Sequence, residues 1–129
     1  MRQVIFDVEC YPNYFLLMFM NMVEGTRSFE IRGDDDSNFD RHAIKAILDT
    51  PDVEFVSFNG ISYDAPMISY ALRGATVEML KEASDRIITR NMRPWQTYEL
   101  LKCRELDFNH VDLIEVAVGM VSLKIYGGR

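Results

Sequence analysis

Hydrophobic and polar positions alternate in short runs over the first quarter of the chain. Residues 2–8, RQVIFDV, concentrate Val, Ile and Phe and predict a strand. Tyr11-Pro12-Asn13 supplies turn formers. Residues 14–22 predict a second apolar strand, and Glu24-Gly25 marks a second turn. TRSFEIR, 26–32, alternates and predicts a third strand at a sheet edge. Three strands joined by short turns imply an antiparallel meander.

Beyond Gly33 the pattern changes. Asp34, Asp35 and Asp36 read as solvated acids ahead of a helix N-terminus, where the dipole favours them. Ser37 or Asn38 is the expected cap for a helix over 39–49, which Pro51 ends. VEFVSFN, 53–59, predicts a buried strand. Because it follows a helix, it is expected to join the sheet as a parallel crossover. Helices are then expected over 60–74, with Gly74 near the end, over 76–90, and over 93–106 after Pro94. HVDLIEVAV, 110–118, is the last strand candidate. No repeat or linker divides residues 1–129, so the expectation is one α/β domain with a mixed sheet.

Composition narrows the function classes. The chain has 129 residues, of which 48% are hydrophobic, and a formal charge of −6. That charge argues against coating nucleic acid by phosphate neutralisation alone. It leaves open chemistry in which bound cations meet the phosphates. Cys10 and Cys103 form no close pair and are expected to be reduced thiols of a cytoplasmic protein. The apolar run YFLLMFMNMV is short for a membrane span, so no membrane association is expected.

The first strand carries an anomaly. Asp7 and Glu9 stand two apart and therefore on one face. Two unpaired acids repel and are costly to desolvate; a hard divalent cation would relieve both costs. An edge strand with that face in water is the plain alternative. Asp64 lies just beyond the strand that ends near Phe58, at the sheet edge where α/β proteins place ligands. Asp64 alone is explained as an acid at a helix start, and Asn59 as a turn former. Together, D-x-E on the first strand and N-x-x-x-Y-D at a later strand-to-helix junction form an ordered pair.

That pair resembles the DnaQ-like, or DEDD, 3′–5′ exonucleases of ribonuclease H-like fold, and most of all the proofreading exonuclease domains of bacteriophage DNA polymerases. Asp7 and Glu9 match the family's first motif; Asn59, Tyr63 and Asp64 match its second. Asp112, Ser122 and Leu123 fit the segment after the helical insert. The resemblance implies a ribonuclease H-like mixed sheet, a three-stranded antiparallel meander plus parallel strands, with flanking helices. It implies a two-ion site for Mg2+ or Mn2+. Asp7 would bridge the ions, Glu9 would bind the one on the nucleophile side, and Asp64 would help hold the other. Such ions stabilise the attacking and leaving oxygens of phosphodiester cleavage. Asn59 and Tyr63 would position the 3′ end of single-stranded DNA. Cys10, where relatives carry Thr or Ser, would contact that nucleotide. Tyr11 and Phe15 would touch it or merely pack, and Trp95 and Tyr98 would stack on bases or pack. Asp112 is expected to be a supporting residue, and His110 and His42 structural or surface histidines.

One motif of the family is missing. Its fourth acid sits on a helix after the SLKIYGG segment, and the sequence stops at Arg129. The expectation is a C-terminally truncated exonuclease domain, whose last motif comes from a polymerase fragment or a partner chain. An uncovered strand is expected to favour self-association. For a phage-encoded chain the compartment is the host cytoplasm. The alternative is a catalytically inactive ribonuclease H-like module that docks to a polymerase or another protein.

Overall fold

A computed structural model describes residues 2–33 and 38–114. Asp34–Asp36, Ser37, Ser122, Leu123 and the end of the predicted strand 110–118, from 115 on, lie outside the described residues. The elements are β1 (Arg2–Tyr11), β2 (Tyr14–Asn21), β3 (Gly25–Arg32), α1 (Arg41–Leu48), β4 (Val53–Ser57), a π-helical turn (Gly60–Asp64), α2 (Ala65–Arg73), α3 (Val77–Arg90), α4 (Pro94–Leu101) and β5 (His110–Asp112). The strands form one sheet in the order β3-β2-β1-β4-β5. The β1–β2 and β2–β3 pairs are antiparallel; β1–β4 and β4–β5 are parallel. This mixed sheet with flanking helices is consistent with a ribonuclease H-like arrangement.

The two sheet faces differ. Phe6 and Val8 of β1 register with Phe19 and Leu17 of β2, and Leu17 registers with Phe29 of β3. All five are buried, together with Val53 and Phe55 of β4. Edge-to-face aromatic contacts join Phe19 to Phe29 and to Phe55, and Phe55 to Phe108. The helices supply Ile44, Met67, Ile68, Val77 and Leu80 to the same core. Asp7 and Glu9 alternate onto the other face with Ile5, which is 49% exposed. That face is only partly covered: Leu16, Met18 and Met20 are half-buried.

Several local expectations change. Asp40 caps α1 by accepting from the Ala43 N–H, in place of Ser37 or Asn38. Strand 53–59 is buried on one face only, because Val53, Phe55 and Ser57 point inward while Phe58 is exposed. The helix expected over 60–74 opens as a π turn, and the α-helix begins at Ala65. The helix expected over 93–106 stops at Leu101, where Lys102 takes a left-handed conformation with φ of 53°.

The junction after β4 is tight. Asn59 is left-handed, with φ of 68°, and Gly60 follows against Ser57. A Cβ on Gly60 would lie 2.1 Å from Ser57 Oγ and 2.8 Å from His110 Nε2. Gly60→Ala should therefore cost about 1–3 kcal/mol, the usual range for overpacking a filled site. Urea denaturation would register this as a lower midpoint; an unchanged midpoint would show that the turn does not press on β4.

Candidate functional site

β1 is longer than its neighbour β4. Their ladder ends at the Ile5–Val56 pair, so the backbone of β1 continues past the end of β4 without a strand on that side. The π turn fills the gap. It delivers Asp64 so that its Oδ2 accepts from the Val8 N–H at 2.9 Å, a contact spanning 56 residues of sequence. Buried backbone donors need partners, and this bond supplies one. It also sets the Asp64 carboxyl against the stretch of β1 that carries Asp7 and Glu9.

The electrostatics follow from that position. Asp64 is 4% exposed. Its pKa is pushed up to about 7, mainly by burial, with the charges of Asp7 and Asp112 adding to the rise and the Val8 hydrogen bond opposing it. Asp7 is half-buried, and burial followed by the Glu9 charge raises its pKa too. Glu9 accepts a 2.6 Å hydrogen bond from the Tyr11 hydroxyl. Tyr11 stacks on Tyr14, with ring centroids 6.3 Å apart.

Asp112 occupies the supporting position. Its Oδ1 accepts from the Asn59 N–H at 2.7 Å and its Oδ2 from the Ile61 N–H at 3.1 Å. It thus fixes both ends of the bend that leads to Asp64. Asn59 acts here through its backbone. Ser57 and His110 lie behind the same bend. Ser57 Oγ accepts from the Gly60 N–H at 3.1 Å and is hydrogen-bonded to His110 Nε2 at 2.6 Å. His110 stacks on Phe108, and burial lowers its pKa, so the neutral ring is favoured.

Other candidates fall elsewhere. Cys10 registers with Phe15 on the helix-covered face of β1, opposite Glu9, and burial raises its thiol to about 11. It is half-buried beside α3, on the face opposite the acids. The Tyr63 hydroxyl is hydrogen-bonded to Ser84 of α3 at 2.7 Å, and burial raises its pKa to about 12. It anchors the π turn to α3. Phe15 is fully buried and cannot touch a ligand. Tyr98 is half-buried, with its phenol pushed up by burial, whereas Trp95 is 63% exposed. His42 is exposed on α1. Cys10 and Cys103 are free thiols. The sequence reading missed Ser57, Gly60 and Ser84. Gly60 was legible only as the first residue of the expected helix, and the polar contacts of the two serines carry no pattern along the chain.

The donor chemistry of Asp7, Glu9 and Asp64 suits a hard divalent cation. The geometry is more limited. Among the described residues, no three His, Cys, Asp or Glu side chains are grouped so that they could hold a metal ion. Asp7 interacts with Glu9 and with Asp64 in pairs, and one oxygen of Asp64 is committed to Val8. No protein-family model, curated protein or solved structure matches the chain. No helix among the described residues is long and apolar enough to cross a membrane.

The raised Asp64 pKa has a definite sign. Below its ordinary value of 3.8 both folded and unfolded chains carry the proton, and the group is neutral for stability. As pH rises from about 4 to about 7, the unfolded chain ionises first and the folded state loses stability, by roughly 4 kcal/mol at most. In metal-free buffer, Asp64→Asn should therefore gain stability relative to wild type as pH rises through that window. Urea midpoints of the two proteins would check it. A difference that stays flat would mean that Asp64 ionises at its ordinary pKa.

Proposed function

We propose that this chain is a metal-dependent 3′–5′ exonuclease domain of the proofreading type, acting on single-stranded DNA 3′ ends. The observation that carries the reading is the buried Asp64 carboxyl bonded to the β1 backbone beside Asp7, with both acids raised. Perturbed carboxylates at the C-terminal ends of parallel strands favour a functional site over a solvated surface. Asp7 and Asp64 would hold Mg2+ or Mn2+, with Glu9 completing the set once it releases Tyr11. The bound cations would stabilise charge on the reacting phosphate oxygens.

The chain's own residues divide the remaining work. Asp112 and Ser57 hold the bend that places Asp64. Tyr11 lies exposed on the acid face beside Glu9, placed to meet a terminal nucleotide. Phe58 is 66% exposed just beyond β4, so it offers an aromatic surface there. A polymerase fragment or partner chain would supply the family's last motif, and self-association is a second route to covering the partly exposed sheet face.

One observation favours a second reading. Glu9 is engaged by the Tyr11 hydroxyl and one Asp64 oxygen by the Val8 N–H, an arrangement that suits an inactive ribonuclease H-like module that docks to a polymerase or another protein. Two measurements separate the readings. Under the exonuclease reading, Mn2+ raises the melting temperature of wild type by mass action and leaves Asp7→Ala unmoved. It also supports shortening of 5′-labelled single-stranded DNA from the 3′ end. If metal shifts neither protein, and the DNA stays intact even with a polymerase fragment bearing the last motif, the chain is a binding module.

A further inference from the structure

A second concave surface lies at the other end of α2. It is a groove of about 630 Å³ between α1, the last turns of α2 and the segment after α4. Arg41, Lys45, Arg73, Lys102 and Arg104 all line it. No carboxylate among the described residues does so, although the chain as a whole carries a charge of −6. Asp64 precedes the first residue of α2 and Arg73 is the last, so the groove lies about 13 Å along the helix from the acids, at 1.5 Å per residue.

Helix chemistry explains part of this cluster. Arg73 donates to the Leu101 carbonyl in the last turn of α4, at 2.9 Å, and Arg41 donates to the Ala71 carbonyl of α2, at 3.2 Å. Both satisfy helix-end acceptors and favour the negative ends of the dipoles. Lys45, Lys102 and Arg104 remain. All three are exposed, and none forms an ion pair with a described residue. Three such charges around one groove of an acidic protein make a local positive field that steers anionic partners.

The lining selects among anions. Leu72, Leu106 and Cys103 contribute apolar surface between the cations; the His42 imidazole also lines the groove, and among the described residues no Phe, Tyr or Trp does. Single-strand nucleic-acid grooves rely on successive aromatic stacking platforms, and one imidazole does not make such a series. An apolar floor with a cationic rim instead suits a chain that offers aliphatic anchors among carboxylates. We infer that this groove docks an acidic peptide segment of a partner protein, with leucine-like side chains on the floor and carboxylates meeting Lys45, Lys102 and Arg104. The inference is independent of the chemistry at Asp7 and Asp64.

Fluorescence anisotropy on the full chain tests it with three labelled probes of equal charge at one salt concentration: a peptide of interspersed Glu and Leu, polyglutamate, and oligothymidylate. The Glu–Leu peptide should bind about tenfold more tightly than either of the others. Lys45→Glu combined with Lys102→Glu should weaken it about tenfold, with the circular dichroism spectrum and melting temperature unchanged. If that pair fails to fold, Arg104→Glu alone should weaken binding in the same direction. Tighter or equal binding of oligothymidylate would overturn the inference in favour of a nucleic-acid surface. Equal binding of polyglutamate, no binding of any probe, or folded variants that bind as wild type does would also overturn it.

Discussion

The bond from the Val8 N–H to the Asp64 carboxyl is the constraint on which the site depends. A strand that outruns its neighbour leaves backbone donors without partners, and burial makes that costly. Here the next segment turns back and spends an acid on the exposed edge. The choice of an acid is informative. A neutral asparagine could accept the same bond without the desolvation that raises Asp64 to about 7. The fold thus places an ionisable group where a neutral acceptor would serve the backbone equally well. Burial and the neighbouring Asp7 charge make Asp64 a costly acceptor for that bond.

Everything behind that bond keeps it in place. β4 and β5 end side by side, with Ser57 registered against Asp112. Each side chain then takes up a backbone N–H of the bend: Gly60 for Ser57, Asn59 and Ile61 for Asp112. Gly60 must lack a side chain because Ser57 and His110 already fill its space. Tyr63 ties the far side of the turn to α3 through Ser84. Asp64 is therefore held from two directions, by sheet and by helix.

Much of this was legible along the chain where the signal is periodic or local. The alternation in TRSFEIR marked an edge strand, and β3 is the edge. The two-residue spacing of Asp7 and Glu9 put them on one face, the face away from the core. Asp112 was read as a supporting residue, and its hydrogen bonds are to backbone. What escaped was set by tertiary geometry. Cys10 and Tyr63 look like site residues by spacing alone, yet the first alternates onto the covered face and the second is claimed by Ser84. The π turn has no sequence period of its own. The cationic groove joins residues from three separated segments, and no window of sequence contains more than part of it.

The most direct measurement is the titration of the Asp64 side-chain carboxyl carbon by NMR in metal-free buffer. A midpoint near 7, moving downward when Asp7 is replaced by asparagine, is the result this account predicts. A midpoint at the ordinary carboxylate value of 3.8, unmoved by the Asp7 substitution, would contradict it, since Asp64 would then be neither buried nor coupled to Asp7.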